Sequence, residues 1–153
     1  MNDSNSAPDL TQRPPRSPRV RLGGYVLLPR ILDKGRAALA GKLGEYHYGG
    51  KGMDRHFFSF VGLDHEALKA ELAKGSGDGE LLAWVNATAK HPRQPWEIAT
   101  WSSYHESRTP DSDAETIAYF AEAVGKFSKT REDISNWFAL LDLDDHYTFG
   151  GKA

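Results

Sequence analysis

Apolar positions recur at helical spacing along most of the chain. Leu28, Ile31, Leu32, Gly35 and Leu39 share one face of a helix over 29–40. Pro29 suits its first turn, where no backbone hydrogen bond is lost, and Gly41 ends it. Leu68 and Leu72 place a helix over 65–74, capped by Asp64 and stopped by Gly75. Asp78 caps a helix over 79–90 that carries Leu81, Leu82, Trp84 and Val85. Pro95 opens 95–107 with Trp96, Ile98 and Trp101, and Asp111 or Ser112 caps 113–127, where Ile117, Phe120, Ala121 and Val124 form an apolar stripe. Thr130 and Asp133 resemble a capping box, and Ile134, Trp137, Phe138 and Leu141 follow at i, i+3, i+4 and i+7.

The intervals are less periodic. Gly23–Gly24 is a turn signal ahead of the apolar run from Tyr25 to Leu28. Residues 57–61 (FFSFV) are too few to fix a period, and they read as helix because no second clear strand exists to pair with them. Residues 41–53 form a glycine-rich loop. Pro8, Pro14, Pro15 and Pro18 among polar residues predict a disordered tail over 1–18, and residues 148–153 a frayed end. The pattern specifies an all-α, compact single domain of about six helices over 19–147, with Trp84, Trp96, Trp101, Trp137 and Phe138 mostly in its core.

Composition narrows the function classes. The absence of cysteine removes disulfides, thiolate metal sites and cysteine nucleophiles, and fits a reducing cytosol. The first ten residues lack the apolar run of a secretory signal, and no stretch approaches the roughly 18 apolar residues of a membrane span. A soluble, cytoplasmic protein without a membrane partner is expected. A net charge of -2 argues against a general nucleic-acid binder. The charge is unevenly spread, with nine Lys/Arg against four Asp/Glu in residues 1–52 and the balance reversed beyond them. Basic front and acidic back can attract each other within one chain, or leave a basic patch for an anion.

A set of residues in order carries a resemblance. Leu28-Pro29-Arg30, Leu32-Asp33-Lys34, Arg36 and Ala40-Gly41-Lys42 come first, then Tyr46, Gly62, and Asp78 with Trp84. Arg131-Glu132-Asp133-Ile134, Trp137 and Asp142 close the set. From about Arg19 to Tyr147 the chain resembles the bacterial domain-of-unknown-function family numbered 5069, departing from its pattern in the loop 47–53 and around 104–112. The resemblance implies a small bacterial protein and supplies no catalytic residue.

The segment 29–42 holds the best candidate chemistry. Arg30, Asp33, Lys34 and Ala37 share the face opposite the apolar stripe, flanked by Arg36. The helix start has no acid before Asp33 and no side-chain cap, so its free N–H groups with Arg30 and Lys34 form an anion site for phosphate or carboxylate. The adjoining loop adds Lys42, Tyr46, His47, Tyr48 and Lys51; Tyr46 or His47 could serve in proton transfer, although the sequence poises no base beside them. The same charges have a structural explanation: Asp33 can bridge Arg30 or Arg36, and Asp142, Asp144 and Asp145 can dock on those arginines. His47, Asp54, His56 and His65 lack metal-ligand spacing, and no cofactor motif is present. Two readings follow. One is a domain holding an anionic small molecule at Arg30, Asp33, Lys34, Arg36, Lys42 and Tyr46. The other is a non-catalytic interaction module that meets a second copy or another protein through its charged surfaces. A concave pocket at the start of the 29–40 helix favours the first, and a flat patch with an apolar centre the second.

Overall fold

The structure, a computed structural model, describes residues 7–151. It contains a two-stranded hairpin, β1 (Arg21–Leu22) and β2 (Tyr25–Val26), followed by seven helices. These are α1 (Leu28–Leu39), α2 (Asp54–Val61), α3 (His65–Leu72), α4 (Asp78–Thr88), α5 (Pro95–Ser107), α6 (Ala114–Gly125) and α7 (Trp137–Thr148). The mostly helical expectation holds, with one helix more than the pattern suggested because residues 57–61 belong to a full helix, α2. The hairpin was not expected. It is antiparallel, pairing Arg21 with Val26 and Leu22 with Tyr25. Gly23 and Gly24 both have positive φ, which lets a two-residue turn match the strand twist.

Helix starts follow local chemistry. Asp64, Asp113 and Asn136 accept hydrogen bonds from the first-turn amides of α3, α6 and α7. Glu80 and Glu97 reach back to the amides of Gly77 and Gln94 ahead of α4 and α5. The Thr130/Asp133 box does not form. Asp133 is held by Arg131, and α7 begins six residues later than that signal placed it, on Asn136. Asp78 is likewise not a cap but an ion-pair partner. At the far end, α7 stays helical through Thr148, and residues 152–153 lie outside the described residues.

The main core joins β2, α1, α2, α3 and α4 with Phe138 of α7, and its largest buried side chains include Phe57, Phe138, Leu28 and Ile31. Trp84 and Trp101 pack on its edge, whereas Trp96 is 69% exposed and is not core. Phe120 and Val124 of α6 form a second, smaller cluster with Leu140 and Leu143 of α7. Ile117, read as part of the α6 stripe, lies outside it and is half exposed.

The expected tail over 1–18 is corrected from residue 7 onward, and residues 1–6 lie outside the described residues. Leu10 is 1% exposed and its amide donates to the Lys42 carbonyl. Pro15 and Pro18 are buried. Prolines that looked like a solvated leader fix an extended strap across α1, and Arg16 clamps it there.

Candidate functional site

Helix α1 is the centre of the molecule. Its apolar face meets the core, and its other face is also covered: Arg30, Lys34 and Arg36 are buried, and Ala37 is fully so. The face opposite the apolar stripe is therefore packed within the chain. A helix buried on all sides must satisfy every charge it carries, because an unpaired charge away from water is very costly.

Each cation on α1 has found a carboxylate. Arg30 Nη1 donates to Asp145 Oδ2 at 2.7 Å and Nη2 to Oδ1 at 3.2 Å, a two-toothed pair between α1 and α7. Nη1 also donates to the Arg16 carbonyl. The Tyr46 hydroxyl donates to Asp145 Oδ1 at 2.7 Å, and the Arg30 guanidinium lies over the Tyr46 ring. Burial pushes the Tyr46 hydroxyl well above its ordinary pKa, and the hydrogen bond to Asp145 adds to this, so it stays a donor.

One turn along, Lys34 Nζ donates to Asp54 Oδ1 at 2.7 Å. Asp54 is the first residue of α2, and its Oδ2 accepts from the Gly49 amide. Gly49 needs its positive φ here, and a Cβ would meet the His65 ring at 2.7 Å. Burial pushes the Lys34 ammonium below the ordinary lysine value. Asp54 opposes the shift and Arg30 reinforces it.

Asp33 and Arg36 face elsewhere. Asp33 takes the backbone amide and guanidinium of Arg16, and Arg36 takes Asp78 and the Ser76 carbonyl. Arg16 also donates to Asp78, closing a four-residue network. Lys42 is exposed, and its backbone holds Leu10 and Ala37.

A concave cavity of about 240 Å³ lies over the N-terminal part of α1. Helix α1 contributes Arg30 and Lys34 to it, Leu27 lines it from just ahead of that helix, and α7 contributes Leu141 and Asp144. The 45–54 segment contributes Tyr46, Lys51, Met53 and Asp54, among others. Of the six residues singled out from the sequence, the structure brings Arg30, Lys34 and Tyr46 to the cavity and leaves Asp33, Arg36 and Lys42 outside it. Sequence reasoning missed Leu27, Met53 and Leu141 as its apolar walls, and Asp54 as the counter-ion of Lys34. Only Asp145 carried a signal, as one of three acids at a helix end that repels them. Leu27 precedes α1 with φ 72°, a left-handed leucine held by hydrogen bonds to Pro18 and Ile31.

The histidines disperse. His47 is at the cavity rim, His65 lies under Gly49, and His56 stacks on the buried His105 of α5. Among the described residues no three potential metal-ligating side chains converge, and no helix is long and apolar enough to cross a membrane.

The family model described as "Domain of unknown function (DUF5069)" matches residues 12–147. The match begins ahead of Arg19 and so takes in Arg16, in keeping with the packed strap. No curated protein matches the chain.

Proposed function

For a chain that belongs to the DUF5069 family, we propose that it holds a small anionic molecule, carboxylate or phosphate, in the cavity over the start of α1. The observation that carries this reading is Lys34. It is buried, it lines the cavity, and its hydrogen bond within the chain goes to Asp54 alone among the described residues. An ammonium has three N–H donors, so two remain for a ligand. Arg30 spends three N–H bonds on Asp145 and Arg16 and keeps two of its five. Leu27, Met53 and Leu141 give the cavity apolar walls, beside which a charge interaction is less screened than in bulk water. The volume suits a metabolite of a few heavy atoms, below the size of a drug-like pocket.

The rival reading needs the basic front and acidic back free to meet a partner. Those charges are largely joined within one chain, in Arg16–Asp33, Arg19–Asp142, Arg21–Glu106 and Arg30–Asp145 among others. The proposal places the protein in a reducing cytoplasm, in line with a cysteine-free sequence.

Amide chemical-shift mapping tests the site. Titration with inorganic phosphate and with acetate is expected to move the amides of Gly52, Met53 and Leu141, with saturation. A ligand at about 100 times its dissociation constant should also add about 2.7 kcal/mol to stability. Shifts scattered over exposed lysines such as Lys74, without saturation, would sink the reading.

A further inference from the structure

We infer that Lys34 is an amine nucleophile for a small 2-oxo acid, with the ligand carboxylate on the Arg30 side of the cavity and the keto carbon at Lys34 Nζ. This rests on the anion-pocket reading and names its substrate class. Arg30 and Lys34 stand at i and i+4 on α1, so one cavity receives a guanidinium and an amine a single turn apart. A 2-oxo acid offers the matching pair, a carboxylate beside an electrophilic carbonyl. A simple carboxylate or phosphate uses only the charge and leaves the buried amine without a chemical role. A buried lysine next to another cation is also the setting that activates an amine for imine formation.

Asp54 completes the proton bookkeeping. It sits 2.7 Å from Nζ and takes one proton from the ammonium. The freed lone pair attacks the keto carbon, the C–N bond forms, and the C=O π pair moves to oxygen. Asp54 returns its proton to that oxygen, giving the carbinolamine. A second N–H proton then travels the same way through Asp54 as the hydroxyl leaves as water. The product is a protonated imine that keeps the positive charge of Lys34 beside the Asp54 carboxylate, so the ion pair survives the reaction.

Reductive trapping on the full chain decides the matter. Pyruvate with sodium cyanoborohydride is followed by tryptic mapping, and adduct at Lys34 blocks cleavage there, leaving Ile31–Arg36 as one modified peptide. Lys34 is expected to be modified at least tenfold faster than Lys74 or Lys126, which are exposed and away from the cavity, and acetate, which has the carboxylate without the ketone, is expected to protect it. Asp54→Asn is expected to slow trapping at least tenfold, and Lys34→Arg to abolish it. The wild-type map stands by itself if either variant folds poorly. Adducts that follow surface exposure, or none at Lys34, overturn the inference. If pyruvate still shifts Met53 and Leu141 amides while Lys34 stays unmodified, only the covalent step falls. If it does neither, and phosphate and acetate also leave those amides unmoved, the pocket reading falls with it.

Discussion

Two ends of α1 carry the same kind of charge and treat it differently. Around Arg36 the cations and carboxylates form a closed set: Arg16 bridges Asp33 and Asp78, and Arg36 joins Asp78 and a carbonyl. Arg16 and Asp78 stand partly in solvent, and Arg36 does not line the cavity. Around Arg30 and Lys34 each cation has one carboxylate, both pairs are nearly dry, and a cavity adjoins them. The first end is built like a clasp that fixes the N-terminal strap to α4. The second retains donors that no described residue accepts. Buried ion pairs are weak stabilisers relative to apolar side chains of similar size, so the dry pairs beside the cavity add little stability of their own.

The hardest way to break this contrast is to remove Asp145. Asp145→Ala leaves Arg30 buried and unpaired and is expected to cost about 3–5 kcal/mol in chemical denaturation. The double variant Arg30→Met with Asp145→Leu is expected to recover most of that loss while ending anion binding. Recovery of neither stability nor fold would mean that the pair is structural after all.

Acid gives the next largest effect, and its source lies away from both ends. Burial, followed by His56 and Arg108, pushes His105 down to about 4. The folded state therefore binds fewer protons than the unfolded chain between about pH 6.5 and 4. The stabilisation is complete above 6.5 and declines as pH falls through that window, by at most about 3 kcal/mol. A pH series of denaturation midpoints should show the decline, and His105→Phe should flatten it. If the decline persists in that variant, His105 is not its source.

Smaller effects separate the ends further. Asp78→Ala is expected to cost about 1–2 kcal/mol because Asp78 and Arg16 reach solvent and the buried Arg36 keeps the Ser76 carbonyl, and the loss should shrink in high salt. Tyr46→Phe removes one donor to Asp145 and should cost about 1 kcal/mol, with a measurable change in phosphate or acetate affinity. An affinity change from Asp78→Ala instead would reverse the assignment of roles.

What the sequence made legible follows the range of the physics involved. Helix α5 spans the expected residues, 95–107, because Pro95 and a run of local spacing define it. Helix α3 ends at Leu72, two residues short of the expected end at residue 74. The hairpin escaped because two-residue strands have no period to read. The strap escaped because its anchors, Leu10 and Arg16, gain their burial and partners from residues far along the chain. For the site, α1 announced its cations, and the cavity holds Arg30, Lys34 and Tyr46. That Arg30 meets Asp145 rather than Asp33, and Lys34 meets Asp54, depends on tertiary packing that no local spacing encodes.

The Arg30–Asp145 pair joins positions 115 residues apart. On the ribosome, α1 emerges long before α7, and for that interval the guanidinium has no counter-ion to be buried with. Closing so long a loop is slow and entropically costly, so docking of α7 should be a late step in folding. The cavity wall of Leu141 and Asp144 arrives with the same helix. The nascent chain thus lacks this wall of the cavity until α7 has emerged, and a small molecule that fits the cavity would favour chains in which α7 has docked.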